Sequence, residues 1–237
     1  MRTVLRTDVG KARKINEDAA YAGGSLCIVC DGMGGHQAGE VASNQAVDVI
    51  TAALSSEEPS VCGLLDAVAK ANEHVYRNSL SDKRLTGMGT TLTMLWMDAG
   101  QVILAQIGDS RAYLLRGGVL RQCTHDHSVV AEMVRMGSIT PEEARTHPRR
   151  NLITRSLGTD PRVEADIFEV SRRPGDRWLI CSDGLTDHVT DAEIAAILAG
   201  DNLYEAADTL LALALDRGGS DNITLILLED EGGGDTP

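Results

Sequence analysis

Four aspartates stand where apolar runs of the sequence end or break. Isolated carboxylates avoid apolar surroundings because an unpaired buried charge is costly, and either a partner cation or a bound metal offsets that cost. Few Lys or Arg flank these positions, so the pattern favours a metal site. For any one of the four, a turn-forming aspartate that caps nearby backbone is the more common explanation. The four are Asp31, Asp109, Asp183 and Asp221.

The residue types indicate which metal such a site would take. Carboxylates, carbonyls and water are the ligands of Mg²⁺ or Mn²⁺, and no His-His or Cys-Cys spacing in the chain suggests zinc. Glycine follows both Asp31 and Asp183 and would let the backbone approach an ion. We therefore expect hard divalent cations, with the carbonyl of Gly32 as a further candidate ligand.

The segment RKINEDAAY near the start contains both halves of a phosphate-ester site. The planar fork of Arg13 suits a phosphate group, and Glu17 and Asp18 could hold metal-bound waters. A charged loop before a strand is the ordinary explanation of such a segment taken alone.

The length, composition and net charge of the chain limit the number of domains and the kinds of partner that we expect. With 237 residues, 43% of them hydrophobic, the chain can bury a sizeable core, and we expect one domain over residues 1–230 with a flexible tail over 231–237. The formal net charge of −13 argues against nucleic acid and anionic membranes as partners.

The cysteines and the N-terminal sequence predict a cytoplasmic protein. The N-terminus has no apolar signal region, and an odd count of five cysteines indicates reduced thiols. Cys27 and Cys30 form a C-x-x-C, but within a strand they would point to opposite faces, so we expect two buried small hydrophobes.

Hydrophobic periodicity predicts sheets with helices packed outside them. Short turns at 98–100 and 116–118 join three of the strands into an antiparallel meander. Helical spacing appears in GEVASNQAVDVITAAL, GLLDAVAKANEHVYRNSL and LYEAADTLLALALDRG. The strand-like runs are SLCIVCD, TTLTMLWM, QVILAQIGDS, RAYLLRGG, DRWLICSDG and NITLILLED.

Residues 128–150 differ from the rest of the chain. Thr140, Pro141 and Glu143 form a capping box with proline at the first helical position, which predicts a short helix there. Arg145, Arg149 and Arg150 make the segment locally basic. A solvated surface insertion and a substrate-contacting flap are both consistent with this pattern.

Eight motifs in order resemble the metal-dependent serine/threonine phosphatases of the protein phosphatase 2C type, particularly the bacterial members. Any one motif is a modest signal, but eight with suitable spacing are specific. The resemblance implies an α+β fold: a four-layer α-β-β-α sandwich of two antiparallel sheets flanked by helices, with a binuclear metal centre at one end. The motifs are TDVGKARKINEDAA, VCDGMGGHQAGEVAS, GMGTTLT, IGDSRAYLLRGG, THDHS, RSLGTD, CSDGLTD and SDNITLILL.

The resemblance also implies roles for individual residues. Asp31 would bridge two ions, with Asp183 and Asp221 completing one shell, and Arg13 would hold the substrate phosphate. The same resemblance implies two further sets of metal-site residues. One set acts on the two main ions, and the other binds a weaker third ion. The first is the Gly32 carbonyl as a ligand, with Asp18 and Glu17 acting mostly through coordinated water, and the second is Asp109, Asp183 and Asp187.

One position departs from the animal members of the family. They carry a histidine directly after the DG pair that is thought to protonate the leaving group, whereas this chain has Met33. His36 lies nearby and titrates in a suitable range. It is an alternative acid, although a histidine that only packs or caps the following helix, or a water that donates the proton instead, fits equally.

The implied reaction is direct attack of a metal-activated water on phosphoserine or phosphothreonine, with Mn²⁺ or Mg²⁺ as cofactor. No cysteine lies in the C-x₅-R loop of thiol phosphatases. The expected partners are phosphorylated proteins and a cognate serine/threonine kinase, and the expected oligomeric state is a monomer. A catalytically weak binding module of the same fold and a hydrolase of small phosphate esters are the alternatives.

Overall fold

The computed structural model describes residues 1–35, 38–98 and 100–232. The predicted tail over 231–237 lies outside the described residues from 233 onward. The strands are β1 (Arg2–Asp8), β2 (Asp18–Gly23), β3 (Leu26–Met33), β4 (Gly89–Thr90), β5 (Leu92–Met97), β6 (Gln101–Ile107), β7 (Arg111–Arg116), β8 (Val119–Gln122), β9 (Asp166–Ser171), β10 (Arg177–Cys181) and β11 (Ile223–Glu229). The helices are α1 (Ala38–Leu54), α2 (Val61–Ser81), α3 (Val129–Arg135), α4 (Pro141–Arg145), α5 (Asp183–Thr186), α6 (Asp191–Leu198) and α7 (Leu203–Asp216), with a 3-10 helix at Lys83–Leu85.

The strands pair in two antiparallel sheets. One sheet has the order β1-β11-β10-β7-β8, and the other has the order β2-β3-β5-β6-β9 with β4 paired to β3. The predicted three-strand meander is wrong: β5 and β6 pair in one sheet, but β7 lies in the other sheet, where it pairs with β8.

Helices cover the outer face of each sheet, which confirms the predicted four layers. Apolar residues of α1 and α2 form one core with the β3 sheet, and apolar residues of α6 and α7 form a second core with the β11 sheet. A third core lies between the sheets and contains Trp178 and Leu104. In the described ranges, no helix combines the length and apolar character needed to cross a lipid bilayer.

Strand β3 illustrates how the period of two places side chains. Cys27 and Val29 pack in the core between the sheets, whereas Ile28 and Cys30 pack against the helices. The prediction that Cys27 and Cys30 are buried on opposite faces is therefore confirmed. The same alternation puts Asp31 on the face of Val29, which is the inner face of the sandwich.

The 128–150 segment contains the predicted capping box. Thr140 accepts a hydrogen bond from the Glu143 amide, and the Glu143 carboxylate accepts one from the Thr140 amide, at the start of α4. The segment also contains α3, which the sequence did not predict and which Ser128 caps by accepting from the Ala131 amide. Two short helices therefore replace the single expected one.

Replacing Leu104 by alanine is expected to lower the free energy of unfolding by about 2–5 kcal/mol, because the side chain is fully buried between the sheets. Leu80→Ala is the matched control: Leu80 is 69% exposed on α2, so its effect should stay within about 0.5 kcal/mol. Urea unfolding of the two variants measures the difference. Equal losses of unfolding free energy in the two variants would contradict the placement of Leu104 in the core between the sheets.

Candidate metal centre and active site

Asp18 and Asp31 face each other at one end of the β3 sheet. They are directly opposed Cα partners in the antiparallel β2–β3 pair, an arrangement that brings two side chains close together on one face. The Asp31 amide donates to Thr91 Oγ1 over 2.9 Å, and the Asp31 carbonyl accepts from Thr90 Oγ1 over 2.9 Å. The backbone of Asp31 is thus fixed by the GMGTTLT motif.

Asp183 and Asp221 come from the other sheet. Asp183 is the first residue of α5, directly after β10, and Asp221 lies just before β11. Ser182 connects the two sheets because its hydroxyl donates to Asp18 Oδ2 over 2.8 Å while its amide donates to the Thr224 carbonyl over 3.0 Å. Acids from both sheets therefore meet at the same end of the sandwich.

Arg13 lies beside Asp221 on the loop between β1 and β2. Its Nη2 donates to Asp221 Oδ2 over 2.8 Å, and its Nη1 is 4.0 Å from Glu17 Oε2. About half of the Arg13 side chain is exposed, so its guanidinium is bonded to Asp221 and is also accessible from solvent.

Asn222 holds the Arg13 loop in place, a role that the sequence analysis missed. Its Oδ1 accepts from the Glu17 amide over 2.8 Å, and its Nδ2 donates to the carbonyls of Val9 (2.9 Å) and Ile15 (3.0 Å). One feature of the sequence could have indicated this role: in the motif SDNITLILL, the polar residue Asn222 stands between the candidate ligand Asp221 and an apolar strand. Ser182, in CSDGLTD, carried the same signal.

Gly32 occupies a position that admits no side chain. A Cβ there would lie 2.2 Å from the Gly39 carbonyl oxygen and 2.5 Å from the Glu17 carbonyl oxygen. The Gly32 amide donates to that same Glu17 carbonyl over 3.1 Å. The absence of a Cβ thus allows β3, the Glu17 loop and the start of α1 to converge beside Asp31.

Asp109 and Asp187 lie near Asp183, as the third-ion prediction requires. Asp109 is in the turn between β6 and β7, and Asp187 follows Asp183 by one helical turn at the end of α5. Asp187 also faces the 128–150 segment, with Arg150 Nε 3.6 Å from its Oδ2.

Burial and mutual repulsion make four of the aspartates difficult to ionise. Desolvation is the largest cause at each: it raises the pKa of Asp18 to about 6 and that of Asp109 to about 7. It also raises the pKa of Asp31 and Asp183 well above the usual range, with the neighbouring aspartates adding to the shift. Such a group of carboxylates demands positive charge from a ligand.

A family model described as Protein phosphatase 2C matches residues 11–214 of this sequence. The chain belongs to the protein phosphatase 2C family. It is similar to the serine/threonine phosphatase stp of Listeria monocytogenes, with 43% identity over 97% of this chain and 96% of that one. The resemblance noted from the motifs and the enzyme class, a serine/threonine phosphatase, are thereby confirmed.

Solved structures support the same assignment. The Mycobacterium tuberculosis phosphatase PstP/Ppp is 43% identical, with a TM-score of 0.91 over 96% of this chain and 98% of that chain. The PstP catalytic domain in complex with two manganese ions is 42% identical, with a TM-score of 0.88 over 95% of this chain and 96% of that chain. The expected fold is confirmed, and a relative holds the expected cofactor.

The acids of this phosphatase do not form a ready-made cage of ligands. Among the described residues, no three His, Cys, Asp or Glu side chains are arranged so that they could hold one metal ion. Part of the reason is visible in their partners, because Asp221 is paired with Arg13 and Asp18 accepts from Ser182.

The acid group nevertheless fits a divalent cation. Buried carboxylate oxygens without a hydrogen-bond partner are costly, and three lack a partner among the described residues of this site: Glu17 Oε1, Asp18 Oδ1 and Asp183 Oδ1. An all-oxygen donor set is the one that Mn²⁺ and Mg²⁺ prefer. The orphaned oxygens are thus the positions at which the protein lacks a positive partner.

A cavity of about 390 Å³ lies between the acid group and the 128–150 segment. Asp109, Asp183 and Asp187 line one side, and Arg145 and Arg150 line the other. Arg145 Nη2 donates to the Thr186 carbonyl over 3.1 Å, which holds α4 against α5. The basic segment thus contacts the same short helix that begins with Asp183.

The predicted acid His36 lies outside the described residues. Met33, which occupies the position of the animal histidine, ends β3 and has no group that titrates. The identity of the proton donor to the leaving group therefore stays a prediction.

The metal-free phosphatase is expected to lose stability as the pH rises from about 4 to about 7. Unfolded Asp titrates at about 3.9, whereas folded Asp18 and Asp109 titrate at about 6 and about 7. Between these values the folded chain retains protons that the unfolded chain has released, so the free energy of unfolding falls with rising pH. Thermal unfolding in EDTA across this window measures the slope.

Asp109→Asn is the control for this pH dependence. The variant lacks one of the aspartates whose pKa is raised on folding, so its melting temperature should fall less steeply over the same window. Added Mn²⁺ should raise the melting temperature of the native chain most at the upper end, where the carboxylates are ionised. If the melting temperature of the native chain in EDTA rose with pH, the assignment of raised pKa values to these aspartates would be contradicted.

Proposed function

We propose that this phosphatase hydrolyses phosphoserine and phosphothreonine in proteins at the acid group formed by both sheets. The observation that carries the proposal is the meeting of Asp18 and Asp31 from one sheet with Asp183 from the other, with orphaned carboxylate oxygens beside a half-exposed Arg13. A divalent cation and a phosphate dianion are the two ligands that this combination of charges would take together.

The acids would hold two ions, and Mn²⁺ or Mg²⁺ would provide Lewis acidity there, acidifying water and neutralising charge on the phosphoryl oxygens. Asp31 would contact both ions, since it lies among the other acids. A weaker third ion would take Asp109, Asp183 and Asp187. The remaining proposed ligands are the Gly32 carbonyl, Asp183 and Asp221, with Asp18 and Glu17 acting mostly through coordinated water.

Arg13 would bind the substrate phosphate. Its planar guanidinium can donate two parallel hydrogen bonds to phosphoryl oxygens, and Asn222 fixes the loop that carries it. With Arg13 anchored on Asp221, the phosphate is drawn to the edge of the acid group. Bound to Arg13, the phosphate would be held in one orientation beside the carboxylates.

Phosphoproteins made by a serine/threonine kinase of the same cell are the substrates we infer. The relatives named serine/threonine phosphatase support this class. Five free cysteines fit a reducing compartment, which supports a cytoplasmic location. We further propose a monomer with one catalytic domain over residues 1–230, in which residues 128–150 act as a flap beside the substrate.

A comparison of turnover on different classes of substrate tests this function. Phosphate release is measured with Mn²⁺ on a phosphothreonine peptide, an autophosphorylated serine/threonine kinase and a set of small phosphate esters. We expect the highest kcat/KM on the two protein substrates. A preference for a small ester would favour the metabolite hydrolase, and binding of phosphopeptide without turnover would favour the weakly catalytic binding module.

A further inference from the structure

The turn that carries Asp109 is held by a buried glutamine. Gln106 Nε2 donates to the carbonyls on both sides of Asp109, those of Gly108 (2.9 Å) and Ser110 (2.7 Å), and its Oε1 accepts from Thr93 over 2.8 Å. Gly108 has a φ of +93°, and a Cβ there would lie 2.6 Å from Thr91 Cγ2. The turn is therefore fixed from the side of the sheet.

His127 holds the same turn from the other side. The Gly108 amide donates to its Nδ1 over 3.1 Å, and the His127 amide donates to the Gly108 carbonyl over 2.8 Å. Because Nδ1 is an acceptor, the ring proton lies on Nε2 and is donated to Asp166 Oδ2 over 3.1 Å. Burial lowers the pKa of His127, which favours this neutral form.

His127 is also the residue at which the flap begins. The next residue, Ser128, caps α3 and bridges to Ile153, where the flap returns to the body of the protein. The Thr154 amide donates to the His127 carbonyl over 2.8 Å. The imidazole of His127 thus contacts the Asp109 turn and Asp166 of strand β9, while the His127 backbone is bonded into the base of the flap.

We propose that His127 is a positioning residue that fixes the Asp109 turn to the base of the flap. It contacts neither the phosphate site nor a proposed ligand side chain, and it acts by holding the Gly108 amide so that the Asp109 backbone keeps one position. The proposal rests on the proposed third-ion role of Asp109. Hydrogen-bonded partners that orient ligands typically change metal affinity about 10- to 100-fold when they are removed.

Two variants of similar shape each remove one of the two hydrogen bonds that the imidazole makes. His127→Asn keeps an acceptor near Nδ1 for the Gly108 amide but cannot reach Asp166, whereas His127→Gln keeps a donor near Nε2 and loses the acceptor for Gly108. We expect His127→Gln to weaken the weakest Mn²⁺-binding step about 10- to 100-fold in calorimetry. His127→Asn should bind Mn²⁺ nearly as the native chain does. Equal affinities in both variants would overturn the proposal.

Hydrogen exchange of the Gly108 amide tests the clamp without any metal. In the metal-free chain the amide should lose protection in His127→Gln and keep it in His127→Asn, and retained protection in both would overturn the proposal. If His127→Gln does not fold, His127→Leu replaces it: it has no acceptor for the Gly108 amide and should also lower protection at Gly108. Unchanged protection in His127→Leu would overturn the proposal.

Asp109→Asn distinguishes failure of this proposal from failure of the proposed function. The weakest Mn²⁺-binding step should disappear in that variant. If the step persists, the ligand role of Asp109 is wrong and the positioning proposal falls with it. If the step disappears in Asp109→Asn but is native in His127→Gln, the ligand role stands and only the positioning by His127 is wrong.

Discussion

Replacing Asp31 by asparagine is expected to lower kcat on a phosphothreonine peptide roughly a thousandfold, the scale of several kcal/mol of lost charge stabilisation. Asp31 opposes Asp18 across β2–β3 and interacts electrostatically with Asp183, Asp109 and Asp221. The change removes the central negative charge of the group but leaves both backbone bonds of Asp31 to Thr90 and Thr91 available. Steady-state phosphate release with saturating Mn²⁺ measures the loss.

The metal-free Asp31→Asn variant should at the same time melt at a higher temperature than the native chain. The substitution relieves the repulsion among buried carboxylates, so a functional charge is exchanged for stability. Asp48→Asn, an exposed change on α1, is the control and should alter neither quantity. Native turnover by Asp31→Asn at native Mn²⁺ affinity would contradict the assigned role.

Replacing Arg13 by alanine is expected to lower kcat/KM for the same peptide about 100-fold, the cost of removing one charged donor from the reacting group. Arg13→Lys should recover little of this, because an ammonium group cannot present two parallel donors to a phosphate. Initial rates over a range of peptide concentrations give kcat and KM separately.

The neighbouring residue offers the control for Arg13. Lys14 is exposed and takes part in none of the hydrogen bonds described for this loop, so Lys14→Ala should retain native kinetics. Full recovery by Arg13→Lys would indicate that only a positive charge is needed at this position. Native kinetics in Arg13→Ala would remove Arg13 from the site.

The regular elements with a strong apolar signal could be predicted from the sequence. Strand β3 reads as an uninterrupted buried run, and α1 and α2 show clear helical spacing. Strand β1 was not predicted because its arginines interrupt the pattern at the edge of a sheet, where partial exposure is tolerated. Helix α6 was overlooked although Thr190 and Glu193 form a capping box at its start.

The candidate site could be predicted by residue type but not by its assembly. The position of Asp31 at a strand end indicated a metal ligand, because a buried carboxylate needs a cation. Nothing in the spacing indicates that Asn222 would hold the Arg13 loop through three hydrogen bonds, since those partners lie more than two hundred residues away. The link from Ser182 to Asp18 joins residues that are 164 positions apart in the sequence.

The relation of residues 128–150 to the site also depended on tertiary structure. The basic composition was compatible with a surface insertion or a flap. The contact of Arg145 with the Thr186 carbonyl and the approach of Arg150 to Asp187 place the segment across a cavity from the acids. Composition could not supply this, because it does not say which element the arginines meet.

The most direct test of the central claim is a Mn²⁺ titration of the metal-stripped native chain, with calorimetric binding and phosphate release from a phosphothreonine peptide followed on the same preparation. We expect no release in EDTA, at least two binding events, and release that rises in step with them. Release that continues after metal has been removed, verified by elemental analysis, would contradict a metal-dependent reaction at the Asp31 group.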